Sequence, residues 1–307
     1  MRRELSNDAA ARQQGEICFL ARNLDVQVQS HPARARVSVK ERAGGRRDTE
    51  LRLSSEQVAI ITGASRGVGA EIARVYAREG ASVVVNFFQS EDKAKAVVDE
   101  ITAAGGKAIA CYGDVTKAGD MVALAKAAKD TFGRIDILVN NALASYKFDP
   151  AAACASIKTV EWEHFDSQFR GTIAGAVNAV QAVLPSMEEQ TYGKIVNIGT
   201  NLVYNPVVTY YDYTASKAAL VGITRNLAAE LGPKGIRVNL VAGGLLERTD
   251  ASSLTTPEVF GFISNTTPLR KTTTVKDFAE ACVFFAADAS NAVTGQSLSV
   301  DGGLTMP

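Results

Sequence analysis

The chain has 307 residues, of which 46% are hydrophobic, and its formal net charge is zero. This length and composition suffice for one large α/β core, and the neutral charge excludes the strong basic field that is typical of nucleic-acid-binding proteins. No apolar run approaches the roughly 18 to 20 residues that a membrane span requires, so we expect no membrane partner.

The cysteines are scattered along the chain, at Cys18, Cys111, Cys154 and Cys282, and none of them clusters with a histidine. This spacing predicts neither a disulfide framework nor a zinc site or other metal site. It favours a reducing compartment, and we expect a cytoplasmic protein.

Residues 1–55 differ from the rest of the chain. They include eleven basic residues, ten of which are arginines, and seven acidic residues. Their apolar residues show little periodicity. This composition predicts a disordered N-terminal extension that is dispensable for folding and chemistry. One alternative is an organellar targeting peptide, but the acidic residues of the segment count against it. Another is that the start codon has been assigned too far upstream.

From Val58 onwards, short β-branched runs alternate with segments of helical periodicity. The predicted strands span 58–62, 82–86, 108–112, 135–140, 194–198, 236–241 and 297–300. The predicted helices span 70–79, 92–104, 118–132, 161–187, 214–231 and 275–287. Gly80, Gly105 and Gly232 follow helix ends, where a left-handed cap is expected. The alternation predicts an α/β fold over residues 56–307: a single doubly wound, Rossmann-type domain with a seven-stranded parallel sheet.

A glycine-rich turn, Thr62 to Gly69, directly follows the first predicted strand and opens the first helix. Gly63 permits a tight turn there. Gly67 and Gly69 allow the backbone to approach a pyrophosphate and the helix to pack on the strand. The N–H groups at the start of the helix would face the phosphates, so this context predicts a dinucleotide site.

Charge at the second strand indicates which dinucleotide is bound. A site for NAD usually places a carboxylate at the end of this strand, whereas here the strand ends at Asn86 and the next acid is Glu91. Arg66 lies in the glycine turn, where its guanidinium can pair with a 2′-phosphate. Both observations favour NADPH/NADP+ over NADH.

Tyr213 and Lys217 stand four positions apart on a predicted helix and so share a face. The pKa of a phenol is near 10, and a nearby ammonium favours the phenolate and lowers it. The pair can therefore serve as a general acid at a carbonyl oxygen.

These motifs resemble the classical short-chain dehydrogenase/reductase family, and within it the 3-oxoacyl-(acyl-carrier-protein) reductase-like members, over residues 56–307. The resemblance rests on the turn at 62–69, Asp114-Val115, Asn140-Asn141-Ala142, the Tyr213/Lys217 pair, and the segments 294–296 and 301–303. It implies that Asp114 and Val115 lie beside an adenine, that Lys217 holds the nicotinamide ribose, and that Tyr213 donates the proton.

The resemblance also gives the expected site residues. The cofactor-binding set is Gly63, Ser65, Arg66, Gly67, Val68, Gly69, Asn86, Asp114, Val115, Asn140, Ala142, Tyr213 and Lys217. The catalytic set is Tyr213, Lys217 and Thr200, since threonine stands where the family usually has serine.

Two further departures from the family bear on catalysis. The helix asparagine that holds a relay water in the family falls at Phe169, counting seven residues from Trp162. The cofactor-facing loop of the family, usually bare, carries Leu143. Both departures put the proton relay or the cofactor loop in question.

The sequence thus predicts an NADPH-dependent oxidoreductase that reduces a carbonyl to an alcohol, most of all a 3-oxoacyl thioester. The alternatives are a steroid, a sugar or a small ketone as substrate, or a weakly active cofactor-binding sensor. The long segment 245–271 is expected to form a substrate lid. The family and the apolar content of helices 161–187 and 214–231 predict a homotetramer.

Overall fold

The computed structural model describes residues 53–143, 146, 148, 149, 151–247 and 249–306. Residues 1–52, which make up most of the predicted extension, lie outside this range. The sheet strands are β1 Val58–Ile61, β2 Ser82–Phe87, β3 Lys107–Tyr112, β4 Ile137–Asn140, β5 Gly193–Thr200, β6 Ile236–Gly243 and β7 Ser297–Val300. All pair in parallel in the order β3-β2-β1-β4-β5-β6-β7, which confirms the predicted seven-stranded doubly wound sheet.

Helices cover both faces of this sheet. They are α1 Gly67–Arg78, α2 Glu91–Ala103, α3 Ala118–Phe132, α4 Trp162–Phe169, α5 Gly175–Gln190, α6 Tyr211–Leu231, α7 Pro257–Thr266 and α8 Val275–Ala286. No helix of the described residues is long and apolar enough to cross a membrane. The described part likewise contains no group of three or more His, Cys, Asp or Glu side chains that could hold a metal.

The strands divide their side chains between two cores. Ile61 and Val83 pack into one core with helices α1, α2 and α8, while Ile60, Val84 and Leu138 pack into the other with α3, α5 and α6. In register, Ile60 pairs with both Val84 and Leu138. The central strands are therefore buried on both faces, which explains why they read as continuous apolar runs rather than as alternating ones.

The predicted helix over 161–187 is interrupted. Helix α4 passes into a π-helical turn, Arg170–Ala174, before α5 begins at Gly175. A Cβ atom on Gly175 would lie only 2.8 Å from a methyl carbon of Val115, so glycine lets the helix approach the end of β3. The π turn adds a residue to one turn and shifts every later side chain around the axis, which apolar periodicity cannot reveal.

The left-handed caps are confirmed at two of three glycines. Gly80 and Gly105 have φ angles of 120° and 85°. Gly232 is right-handed, with φ of −52°, because the chain continues there into a short 3₁₀ turn that contains Pro233. The left-handed residue is Gly235, with φ of 77°.

The apolar surplus predicted on two helices is visible as side chains that the chain does not fully bury. Among the described residues of α4, α5 and α6, the one large apolar side chain that is exposed is Trp162, on α4. Phe165, Phe169, Val177 and Ile223 are half-buried and belong to none of the core clusters of the described residues. The homotetramer stays a prediction.

Leu53 belongs to the folded part of the chain, although the sequence placed residues 53–55 in the extension. Its side chain is 4% exposed and packs in the core that includes α1. The Leu53 carbonyl oxygen lies 2.8 Å from where a Cβ of Gly80 would be, so only glycine fits opposite it. The structural boundary of the domain thus lies at or before Leu53.

Leu53→Ala should lower the free energy of unfolding by about 2 to 4 kcal/mol, because it leaves a cavity in this core. Urea denaturation measures the change. Deletion of residues 1–52 serves as the companion experiment and should leave the unfolding midpoint unchanged. A midpoint that falls as much on this deletion as on Leu53→Ala would show that the extension contributes to stability.

Candidate active site

The candidate site lies at the carboxyl ends of the central strands. The chain runs from β1 outward to β3 and then returns to β4 on the other side of β1, so the strand order reverses between β1 and β4. Loops leave such a switch point in opposite directions and open a crevice there. Thr62 and Gly63 follow β1 at this crevice, and Asn141 and Ala142 follow β4.

The glycine turn has the geometry of a phosphate cradle. Gly63 and Gly67 have φ angles of 61° and 56°, in the left-handed region that favours glycine. A Cβ on Gly63 would lie 2.9 Å from the Cα of Ala142, so this glycine also permits close packing of the two loops. Helix α1 begins at Gly67, and no side chain caps its first N–H groups. Those donors, with the exposed backbone at Arg66, fit an anion.

Asn141 fastens this turn to the end of β4, although it was absent from the predicted cofactor set. Its Nδ2 donates to the carbonyl oxygens of Thr62 and Gly63, at 2.9 and 3.1 Å. The Thr62 hydroxyl accepts from the N–H groups of Asn141 and Ala142, both at 3.0 Å. Gly69 packs against the same amide, since a Cβ there would lie 2.4 Å from the Asn141 Nδ2. In the sequence, Asn141 stands out only as part of the family motif Asn140-Asn141-Ala142.

Asn86 acts as a structural brace rather than as a free group at the strand end. It is 1% exposed, its Oδ1 accepts from the Gly63 N–H at 3.1 Å, and its Nδ2 donates to the Gly113 carbonyl at 3.0 Å. Both ends of the amide are thus engaged by protein. Strand β2 ends one residue later, at Phe87, so no carboxylate stands at either position.

Asp114 and Val115 follow β3 at the same edge. The Asp114 Oδ1 accepts from the N–H and the hydroxyl of Thr116, at 3.0 and 2.7 Å, which fixes the turn. The Asp114 Oδ2 lies 3.8 Å from the Lys117 ammonium. Val115 packs against Gly175, and its carbonyl accepts from Asn178. The segment is therefore rigid and held between β3 and α5.

The catalytic candidates converge on the ends of β5 and α6. Tyr213 and Lys217 are 8% and 4% exposed, and the Lys217 Nζ lies 5.9 Å from the centre of the Tyr213 ring. The Lys217 ammonium donates to the Ile198 carbonyl of β5 at 2.6 Å. Thr200, the last residue of β5, lies beside the Tyr213 phenol at the same cavity, and its hydroxyl accepts from the Leu202 N–H at 3.4 Å. The predicted catalytic set is thus brought together.

Burial dominates the electrostatics of this pair. It raises the pKa of Tyr213 to about 12, while the nearby Thr200 hydroxyl acts in the opposite direction. Burial also lowers the pKa of Lys217 to about 8. The expectation that the ammonium lowers the phenol pKa is therefore wrong for this structure, since desolvation outweighs charge. Tyr213 is held as a protonated donor near neutral pH.

A small cavity beside Lys217 has room for a relay water, and Phe169 does not border it. Its volume is about 10 Å³, close to the least that one water needs. Lys217, Asn140 and Thr172 border it, and the Asn140 Oδ1 and Thr172 Oγ1 are buried without a partner. A water molecule that bonds all three would satisfy these atoms.

Counting from Trp162 therefore identified the wrong residue. Phe169 ends α4, and the π-helical turn that follows rotates Thr172 towards Lys217. Thr172 is 4% exposed and carries a hydroxyl, so Phe169 does not deprive the site of a polar group on this helix. Leu143 lies elsewhere too, since it packs against the cluster of Leu202, Tyr210 and Tyr213 on the substrate side.

A second cavity of about 310 Å³ opens above Tyr213 and is the natural place for a substrate. Val68, Gly243 and Gly244 line it, together with several residues from the segment in which the sequence predicts a lid, among them Leu246, Leu254 and Val259. Its walls are mainly apolar: Leu143, Phe148, Leu202, Val207, Val208, Leu245, Leu246, Leu254, Val259, Ile263, Phe278 and Leu304. Among the described residues that line it, Lys217 is the one that carries a charged group.

Comparison with known proteins agrees with this geometry. The family model described as Enoyl-(Acyl carrier protein) reductase matches residues 63–305. The 3-oxoacyl-[acyl-carrier-protein] reductase of Staphylococcus epidermidis is 35% identical over 251 residues, which cover 81% of this chain and 98% of the relative.

Two solved structures have the same fold. A 7α-hydroxysteroid dehydrogenase in complex with NADH and 7-oxo glycochenodeoxycholic acid is 38% identical, with a TM-score of 0.74 over 83% of this chain and 96% of that one. A gluconate 5-dehydrogenase of Burkholderia cenocepacia in complex with NADP and tartrate is 30% identical, with a TM-score of 0.75 over 83% and 97%.

Thr172→Val should reduce turnover of a ketone about two- to tenfold, because it removes one hydrogen bond to the relay water at almost unchanged volume. Steady-state kinetics in H₂O and D₂O would measure the loss and its solvent isotope effect. Phe169→Leu is the matched control on the same helix and should leave both unchanged. Greater loss in Phe169→Leu than in Thr172→Val would contradict this placement of the relay.

Proposed function

The chain belongs to the short-chain dehydrogenase/reductase family and is an NAD(P)(H)-dependent oxidoreductase, and we propose that it reduces apolar ketones with NADPH, 3-oxoacyl thioesters first. The observation that carries this proposal is the apolar 310 Å³ cavity directly above the buried pair of Tyr213 and Lys217. These two features support Tyr213 as a proton donor at a mostly apolar cavity.

The crevice between the ends of β1 and β4 fits a dinucleotide. The turn at 63–69 and the start of α1 would hold the pyrophosphate, while Asp114 and Val115 would border the adenine. Asn140, Ala142 and Lys217 continue this line towards the substrate cavity. When bound there, the cofactor supplies a hydride to the carbonyl carbon.

The residues of the chain supply the proton. In the proposed mechanism Tyr213 donates its phenolic hydrogen to the carbonyl oxygen, and Thr200 orients that oxygen through its hydroxyl. Lys217, anchored on the Ile198 carbonyl, returns a proton to the phenolate from the cavity that Thr172 and Asn140 border. Each group lies at a strand end or within a buried helix turn, so little reorganisation precedes the reaction.

The cavity walls support an apolar substrate. A sugar acid would bring several hydroxyl groups against leucine, valine and phenylalanine side chains, which offer them no hydrogen bonds, at a cost of about 1 to 3 kcal/mol for each polar group left unpaired. An acyl chain loses nothing there and gains burial. A 3-oxoacyl thioester therefore fits better than a sugar.

A hydroxysteroid is the second candidate substrate. The same apolar walls suit a rigid ring system, and Phe148 and Tyr210 present aromatic faces beside Tyr213. A relative that is 38% identical was solved with a bile acid derivative. Comparison of kcat/KM for acetoacetyl-CoA and for a 7-oxo steroid separates the two candidates, and equal inactivity on both would favour the cofactor-binding sensor.

The cations beside the glycine turn support NADPH. The Arg66 guanidinium lies 3.4 Å from the Asp250 carboxylate, and the Lys93 ammonium lies 3.9 Å from the same oxygen. A carboxylate on two cations stands in for an anion such as a 2′-phosphate. No acid stands at Asn86 or Phe87 to accept from a ribose hydroxyl.

Two properties of the protein as a whole belong to the same proposal. We propose a homotetramer on the basis of the family, together with the exposed Trp162 that stacks on Phe165 outside the core. We also propose a reducing, cytoplasmic setting, since Cys111, Cys154 and Cys282 are free thiols and two of them are buried.

Tyr213→Phe should lower kcat by about 10² to 10⁴ because it removes the proton donor but keeps the ring. Thr200→Ser should retain activity, whereas Thr200→Val should lose much of it because the hydroxyl is gone at similar volume. NADPH oxidation with acetoacetyl-CoA and activated ketones measures all three. Turnover of Tyr213→Phe close to that of the unaltered protein would overturn the mechanism.

Asp250→Asn should strengthen NADPH binding about two- to fivefold, since it removes an anion that competes for Arg66 in an exposed ion pair. Arg66→Ala should weaken NADPH binding about ten- to a hundredfold and leave NADH nearly unchanged. Fluorescence titration with both cofactors measures these effects. Glu258→Gln, another exposed acid of the lid, is the control and should change neither. Tighter binding of NADH than of NADPH by the unaltered protein would contradict the proposal.

A further inference from the structure

The loop that follows β4 places a second tyrosine against the catalytic one. The rings of Tyr146 and Tyr213 are stacked, with centroids 5.3 Å apart and planes inclined by 23°. Phe148 meets the Tyr213 ring edge to face at 5.0 Å and 89°. One face and one edge of the general acid are thus covered by side chains of a single loop.

Tyr146 is itself fixed by a buried carboxylate. Its hydroxyl donates to the Asp212 Oδ1 at 3.0 Å, and Asp212 is only 2% exposed. Asp212 directly precedes Tyr213 in the first turn of α6, where the helix N-terminus favours a negative charge. The hydrogen bond therefore links the loop to the same helical turn that carries the catalytic phenol.

The chemistry of the pair keeps this link intact. Burial raises the pKa of Tyr146, and the contacts with Cys154 and Asp212 act in the same direction. Tyr146 therefore stays protonated near neutral pH and can donate to the carboxylate. A hydrogen bond to a charged acceptor is stronger than a neutral one, so the ring plane of Tyr146 is well determined.

We propose that Tyr146 is a positioning residue, which the carboxylate of Asp212 locks against the ring of Tyr213 so that the phenol points at the substrate carbonyl. This inference rests on the proposed function, because it assumes that Tyr213 is the proton donor. The Tyr213 side chain has two rotatable bonds, so its ring plane can turn unless neighbouring side chains hold it. The stack with Tyr146 constrains the ring plane. A small displacement of a catalytic group lowers the rate steeply, and substrate binding need not change.

The first experiment compares three variants by steady-state kinetics. Tyr146→Phe keeps the stacked ring but loses the lock, and kcat should fall about three- to tenfold; Tyr146→Leu loses both, and kcat should fall about ten- to a hundredfold. Asp212→Asn keeps an acceptor oxygen, so its kcat should fall less than that of Tyr146→Leu. In each variant the KM of the ketone and the dissociation constant of NADPH should change less than twofold.

Tyr192 provides a matched control. Its hydroxyl donates to the Asp288 Oδ1 at 3.1 Å, so it forms another tyrosine–aspartate pair, immediately before β5 and at the end of the sheet remote from the site. Tyr192→Phe should change thermal stability about as much as Tyr146→Phe does, with kcat unchanged. A kcat of Tyr146→Leu within twofold of the unaltered protein, or a loss confined to KM, would overturn the inference.

A measurement without substrate separates this inference from the proposed function. The chain has eight tyrosines, so ¹³C-labelled tyrosine gives few ring signals, and Tyr213→Phe identifies the one of interest. The ring currents of Tyr146 and Phe148 should both shift that signal, and Tyr146→Leu should remove the contribution of Tyr146. A Tyr213 signal that is unchanged in Tyr146→Leu would refute the stack. Absence of turnover by the unaltered protein, with the shift as expected, would refute only the proposed function.

Discussion

The hydrogen bonds between Thr62 and the loop after β4 hold together the two strand ends at which the candidate site opens. The Thr62 hydroxyl donates to the Val139 carbonyl and accepts from two N–H groups of that loop, while the Asn141 amide donates back to the turn. This network joins the ends of the two strands at which the order of the sheet reverses. Because these bonds join the glycine turn to the loop after β4, loss of the Asn141 amide would disturb both.

Burial among apolar side chains explains the displaced pKa values of Tyr213 and Lys217. Tyr213 and Lys217 line a cavity whose walls are mostly apolar. Burial disfavours the charged form of each side chain, so it raises the pKa of Tyr213 and lowers that of Lys217. For Tyr213 this displacement preserves the proton that the proposed reaction would use. For Lys217 it brings the pKa close to neutral, where an amine exchanges protons readily. Desolvation disfavours the charged form of both side chains, and the resulting pKa values favour the proposed proton transfer.

Much of the fold and part of the site followed from the sequence, because those features depend on local patterns. Alternating strands and helices predicted the sheet, and a spacing of four residues placed Tyr213 and Lys217 on one face of a helix. Thr172 and Asp212 could not be predicted in this way. The first depends on a π-helical turn, which apolar periodicity does not encode, and the second depends on a contact with a distant loop. Counting along a helix fails wherever the helix changes its pitch.

The same limit applies to the departures from the family pattern. Phe169 and Leu143 suggested a damaged relay and a crowded cofactor loop, yet in the structure a neighbouring hydroxyl borders the relay cavity and the leucine packs in the substrate wall. A substitution that removes a polar group matters only when no other group reaches the same space. Thr172 reaches this space from the π-helical turn. Leu143 contributes to the apolar wall of the larger cavity, so in the proposed function it would favour apolar substrates.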